Sequence, residues 1–293
     1  MKKCRKWSVI ILIISFGVII CCCNRWNRTA SSGGLFFIGA DNSAGNQSQK
    51  ENLVVVVHGW LDKGNGDWPE DMAKQIAQRV DCNQWDCGYF DWSKGASTIN
   101  PTDAAKYGRD IAGRKLADEI LNRIVTIRHI HLIAHSSGCW VINEAARILA
   151  EKTDADLHLT FLDCYVPTGW DEDWLGNFPE NGKAIYWTEQ YFTRDYTLDW
   201  TQRQLKHAHN VDITNLDAAI KDHKFPWRWY YATITGHFPK SIFGDSEKYR
   251  CSIKGVEYGF ALSKEAAGQQ DWQKTIKLPT GNTAVEVSAA KDE

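Results

Sequence analysis

The chain predicts an α/β fold, with a mostly parallel central sheet covered by helices on both faces. Three observations predict it. Apolar runs of strand length alternate with amphipathic helical patterns, which is the signature of a parallel sheet built from crossover units. The runs are β-branched and continuous, as in "NLVVVVHG" from Asn52, so they read as strands buried on both faces. At 293 residues and 43% hydrophobic, the chain is long and apolar enough to bury a core on each side of such a sheet.

The elements follow in order. After "NLVVVVHG" comes "DWPEDMAKQIAQRV", a helix with Asp67 as N-cap, Pro69 in its first turn, and Met72, Ile76 and Val80 on one face. "CGYFDW" is a short strand and "TDAAKYGRDIAGRKLADEILNRI" a long amphipathic helix. "RHIHLIAH" and "CWVINEAARILAEK" are the next strand and helix. "LHLTFLD", "KAIYW" and "HNVDITN" are expected to be three further strands, and "GVEYGFAL" a late one. Upstream, "LFFIGA" reads as an edge strand within a polar stretch.

The first residues carry a different message. Lys2, Lys3, Arg5 and Lys6 precede an apolar run from Trp7 to Cys23. A basic head followed by an apolar stretch is the pattern of a secretory signal or a short signal anchor. The run closes on Cys21, Cys22 and Cys23, which resembles a bacterial lipoprotein leader, although Ile20 and Cys21 stand where that pattern has a small residue. The expected organisation is a signal peptide or anchor over 1–23, a polar spacer over 24–52, a catalytic domain over 53–240 and a C-terminal extension over 241–293. The domain is then expected to be extracytoplasmic, secreted or tethered to a membrane through its N-terminal segment. In that compartment Cys82 and Cys87 are candidates for a short disulfide loop. A net charge of −2, with basic residues spread along the chain, points away from nucleic acid. The oligomeric state is left open, and nothing in the sequence calls for a cofactor or metal.

In a parallel sheet the chemistry belongs beyond the C-terminal strand ends. "HLIAHSSGCWVI" places two serines at such an end. A nucleophile on a tight strand-to-helix turn needs small residues two before and two after it. Ser136 has Ala134 and Gly138 there, whereas Ser137 has His135 and Cys139, so Ser136 is the candidate nucleophile. Ser137 would offer its backbone N–H at the helix N-terminus, where an oxyanion is favoured. A second donor is required from an earlier loop, and the His58-Gly59-Trp60 turn supplies the Trp60 N–H. His58 is expected to brace that loop, and Trp60 to wall the acyl pocket.

These segments resemble the catalytic domain of the pancreatic lipase family. "HGWLDKGNGDW" is similar to that family's oxyanion loop, "FDWSKGAS" to its Asp-Trp strand end, "HLIAHSSGCWV" to its elbow and "TFLDCYVP" to the segment carrying its acid. The resemblance runs from about Leu53 to His237 and implies an α/β-hydrolase fold. The departures are Ala134 for Gly, Ser137 for Leu and Cys164 for Pro. Neither the family's C-terminal β-sandwich nor a cysteine-bounded lid is evident, which bears on triglyceride specificity more than on chemistry.

The resemblance implies Asp163 as the acid. Glu189 and Asp195, after "KAIYW", remain alternatives, because many α/β-hydrolases place the acid there. His223 lies beyond the strand "HNVDITN", before "FPWRWYYATI", where the general base is expected. Aromatic residues crowd the stretch between Asp163 and His223, and Trp170 and Trp174 are candidate substrate contacts. The expectation is a serine hydrolase acting on carboxylic esters, with lipid or acyl esters foremost. The alternatives are a noncatalytic, surface-tethered binding module on the same fold, and an acyltransferase or amidase using the same triad.

Overall fold

A computed structural model describes residues 33–39, 47–178, 184, 186–194, 200–216, 223–239, 258–263 and 284–287. The leader, Asp195 and Cys251 lie outside the described residues. The strands are β1 (Leu35–Phe37), β2 (Asn52–Val57), β3 (Trp85–Phe90), β4 (His129–His135), β5 (Asp156–Leu162), β6 (Tyr186–Phe192), β7 (His209–Asp212) and β8 (Val285–Glu286). They form one sheet in the order β1-β3-β2-β4-β5-β6-β7-β8. Among the described strands only β1 is antiparallel, at one end of the order, and every other pair is parallel. This is the α/β-hydrolase arrangement. Both β1 and β8 lie outside the predicted 53–240 and share its sheet.

Residue alternation along β2 shows why the sheet holds. Leu53, Val55 and Val57 enter one core cluster and Val54 and Val56 the other. Each fully buried valine contributes about 1.5–3 kcal/mol relative to exposure. Helices α1 (Trp68–Ala77) and α6 (Phe225–Thr235) cover the second face. The first face receives α3 (Pro101–Tyr107), α4 (Gly113–Arg123) and α5 (Gly138–Lys152), with the one-turn α2 (Ser93–Ala96) preceding them. The chain leaves β2 toward β3 on one side, and β4 then returns on the other side of β2. The strand order reverses there, so a crevice opens between the C-terminal ends of β2 and β4.

Four sequence expectations change. The long helix from Thr102 is broken by a π-helical turn, Gly108–Ala112. Its flanking glycines abut α5: a Cβ on Gly113 would lie 2.7 Å from the Val141 carbonyl oxygen and from Glu144 Cβ. The predicted strand "KAIYW" sits further along the chain, as β6, with Glu189 inside it. Of "GVEYGFAL", Gly259–Leu262 form a 3-10 turn and residues 255–257 lie outside the described residues. The expected Cys82–Cys87 disulfide is not formed, because Cys87 points into the core from β3 while Cys82 is exposed.

The lower half of the α1/α6 face carries a buried polar row. His131 Nε2–H donates to Thr160 Oγ1 (2.8 Å), and Thr160 donates to Glu189 Oε1 (2.7 Å). His158 Nε2–H also donates to Oε1 (3.1 Å), and the Tyr191 hydroxyl donates to Oε2 (3.0 Å). Burial raises the Glu189 pKa, but the bonds from His158 and Thr160 outweigh it and hold the carboxyl below its usual range. Neighbouring His209 is also buried, which lowers its pKa from 6.5. The unfolded chain therefore binds more protons than the folded one as pH falls through 6.5, and stability falls with it. We expect the Tm to drop between pH 7.5 and 5.5, and to drop less in His209→Phe. An equal drop in both proteins would remove His209 from the account.

Candidate active site

Ser136 occupies the turn between β4 and α5 with φ 55°, a left-handed conformation rare for a residue with a side chain. Such strain costs of order 1–3 kcal/mol and needs surrounding structure to hold it. Its N–H donates to the Leu162 carbonyl (3.0 Å). Gly138 lies against the loop after β2, and a Cβ there would come within 2.3 Å of the His58 carbonyl oxygen. Gly59 faces it from that loop, where a Cβ would meet Ser136 Cβ at 3.0 Å. The small residues thus let two strand-end loops touch at the nucleophile.

The loop after β2 is pinned from several directions. His58 Nδ1–H donates to the Gly59 carbonyl (3.0 Å), and Nε2 accepts the Trp92 N–H (3.1 Å). The Trp92 indole donates back to the His58 carbonyl (2.8 Å), and the two rings stack. With both ring nitrogens occupied and the ring buried, His58 braces the loop. Leu61, at φ 61°, donates its N–H to Ala96, and the Trp60 indole donates to Thr98. Among the described residues the backbone N–H groups of Trp60 and Ser137 meet no acceptor. The Ser137 hydroxyl turns away, toward the Pro101 carbonyl (3.3 Å).

Asp163 follows β5, also in a left-handed turn, with φ 50°. Its N–H donates to Tyr191 (2.8 Å), and its Oδ1 accepts the Thr193 N–H (3.0 Å). That leaves Oδ2 aimed at His223 Nδ1, 2.6 Å away. His223 stands at the entrance to α6, where Pro226 lies in the first turn. Its Nε2 is 2.8 Å from Ser136 Oγ. Serine, imidazole and carboxylate from three separate loops therefore form one hydrogen-bonded line. Glu189 lies elsewhere, buried within β6 among His158, Thr160 and Tyr191.

Trp170 and Trp174 line a cavity of about 230 Å³ together with Arg109, Trp140, Gly169 and Asp171. The Arg109 guanidinium lies 4.3 Å over the Trp170 ring. The segment carrying them is tied down. Asn143 bonds the Trp174 carbonyl and the Gly176 N–H, and Glu172 and Asp173 pair with Arg203 and Lys206.

Among the described residues His131, His158 and Glu189 form a cluster of metal-ligating types, with ligand atoms within 4.8 Å of one another. The two imidazoles are parallel to within 2° and 3.7 Å apart. A shared ion would have to lie in both ring planes, which parallel rings do not allow. The Thr160 hydroxyl already bridges the cluster, which is built as a hydrogen-bond network.

A residue the sequence reading passed over stands beside the imidazole. His135 Nε2–H donates to the His223 carbonyl (2.9 Å), and the two rings lie 4.5 Å apart. Asp62, on the oxyanion side, reaches within 3.7 Å of His135 Nδ1. Burial raises the Asp62 pKa, but the neighbouring His135, Lys224 and His58 outweigh it and bring it down to about 2. The position of His135 directly before the candidate nucleophile was the available signal.

Fold and geometry define the class: an α/β-hydrolase domain with a Ser-His-Asp constellation at the sheet's switch point. The family is narrower. Residues 38–171, a little under half of the chain, match the Lipase family model, which supports a lipase-family domain there. The matched stretch contains the loop after β2, the elbow and Asp163, and ends before His223. Pancreatic lipase-related protein 2 of Rattus norvegicus is 33% identical over 100 residues, covering 32% of this chain and 20% of that protein. Inactive pancreatic lipase-related protein 1 of Homo sapiens is 32% identical over 125 residues, covering 41% and 25%. Pancreatic triacylglycerol lipase of Mus musculus is 30% identical over 99 residues, covering 32% and 20%. The chain thus spans a fifth to a quarter of the length of these relatives.

Proposed function

We propose that this protein is a serine hydrolase that cleaves carboxylic esters, with lipid or acyl esters as its substrates. One observation carries the reading: His223 bonds Ser136 Oγ through Nε2 and Asp163 through Nδ1. Because Asp163 accepts from Nδ1–H, Nε2 is left with its lone pair facing the serine hydroxyl. His223 takes the Ser136 proton as Oγ attacks the ester carbonyl. The N–H groups of Trp60 and Ser137 receive the developing oxyanion. His223 then protonates the departing alcohol, leaving an acyl group on Ser136. Water, deprotonated by the same imidazole, releases the acid and restores the serine. Trp60 walls the acyl side, and Trp170 and Trp174 contact the substrate from the cavity they line, whose lining includes none of Ser136, Asp163 and His223.

One relative is named inactive, so family membership alone does not decide catalysis. Labelling by a fluorophosphonate, with peptide mapping, tests the reading. The expected adduct is on Ser136, with hydrolysis of short- and long-chain p-nitrophenyl esters. A folded protein that takes no label and turns over no ester is a noncatalytic module. The basic, apolar leader supports an extracytoplasmic site, either secreted or membrane-tethered. Among the described residues no helix is long and apolar enough to cross a membrane. Cell fractionation should find the domain outside the cytoplasm, and recovery in the cytosol would overturn that placement.

A further inference from the structure

We propose that His135 is a positioning residue for His223, holding the general base in place by its backbone while Asp163 holds it by its ring. The inference rests on the triad reading and deepens it. A general base needs two constraints. Its ring must be turned correctly about its own bonds, and its backbone must stay at the right depth over the serine. Asp163 supplies the first through Nδ1. The second comes from the other side, where the His223 carbonyl accepts from His135 Nε2 (2.9 Å). A carbonyl only accepts, so Nε2 of His135 carries the proton. His135 itself cannot drift: it ends β4, is 3% exposed, and meets the edge of Trp68. Gly59 leaves space beside it, since a Cβ at that position would lie 3.1 Å from His135 Nδ1.

The same ring couples the three loops of the site. It is covalently next to Ser136, it bonds the loop bearing His223, and it faces Asp62 at the end of the oxyanion loop. Asp62 is fixed in turn by the Trp68 indole (3.4 Å). Burial and the adjacent His223 push the His135 pKa down, against the opposing pull of Asp62. A displacement near 1 Å of a reacting group can cost about 10²-fold in rate, and this carbonyl bond prevents one.

The test compares His135→Leu with His135→Gln in the full chain. The Gln amide nitrogen stands the same number of bonds from Cβ as Nε2, so it restores the donor. His135→Leu is expected to lose about 10²-fold of kcat with KM little changed, and His135→Gln to recover most of the loss. If His135→Leu does not fold, His135→Met, which fills similar volume without donating, takes its place. Wild-type kcat in a folded His135→Leu or His135→Met, or equal losses in the Gln and apolar variants, overturns the proposal. A second readout does not depend on turnover. Proton NMR should show the far-downfield Nδ1–H that His223 shares with Asp163 in wild type, in Ser136→Ala and in His135→Gln, but not in the apolar variant. Its persistence in the apolar variant overturns the positioning role. If wild type turns over no ester yet shows the resonance and loses it in the apolar variant, the esterase reading fails and the positioning role stands.

Discussion

Ser136→Ala is expected to remove about 10⁶-fold of kcat on a soluble ester, the scale of loss when a nucleophile is deleted from a triad that works as a unit. Ser137→Ala is expected to keep most of the activity. The two serines are adjacent, yet their surroundings separate them completely. Ser136 Oγ lies 2.8 Å from His223 Nε2, while the Ser137 hydroxyl is bonded to the Pro101 carbonyl. Ser137 is asked for its backbone N–H, which alanine retains. Losing the bond to Pro101 costs about 1 kcal/mol of stability and should appear as a small drop in Tm. Steady-state kinetics on both variants, with matched circular dichroism, check this. Equal loss in both, with both folded, sinks the assignment. Fluorophosphonate labelling of Ser136→Ala adds a second arm, since a surviving adduct on Ser137 would do the same.

The elbow was legible because its requirement is steric. Two loops must touch at the nucleophile, and Gly138 against the His58 carbonyl is that contact. The strands β2, β4 and β5 were legible because valine, isoleucine and leucine mark a sheet buried on both faces. β6 was misplaced for the opposite reason. "YWTEQYF" carries Thr188, Glu189 and Gln190 in its middle, and three polar residues read as a strand end. All three are buried. Glu189 is sustained by donors on β5 and β6, and Gln190 bonds the Arg203 carbonyl (2.7 Å). Such compensation lies across the sheet and leaves no mark in the local pattern. The π-helical turn was hidden similarly, since Gly108 and Gly113 look like flaws in a helix until α5 is packed against them. His135, Asp62 and the His223 carbonyl belong to three loops that only the folded chain unites.

Asp163→Asn is the sharper test, because it changes almost nothing except a proton. Asparagine tolerates the left-handed conformation at φ 50°, so the turn after β5 should survive. The new side chain can still accept the Thr193 N–H through its carbonyl oxygen, in the place of Oδ1. Its amide NH₂ then points at His223, where a carboxylate oxygen had accepted from Nδ1–H. Two donors cannot face each other, so His223 is driven to the other tautomer, with the proton on Nε2. That nitrogen no longer accepts from Ser136. The expected loss is about 10⁴-fold in kcat, with the protein folded and KM little changed. Glu189→Gln provides the contrast. Glu189 accepts from His158, Thr160 and Tyr191 in the core, and the Gly259 N–H bonds the same tyrosine (2.8 Å). Removing its charge should lower Tm and leave kcat per folded molecule close to wild type. If Glu189→Gln instead matches the kinetic loss of Asp163→Asn while holding its Tm, the acid is not Asp163 and the hydrogen-bonded line from Ser136 through His223 does not run in catalysis as its geometry implies.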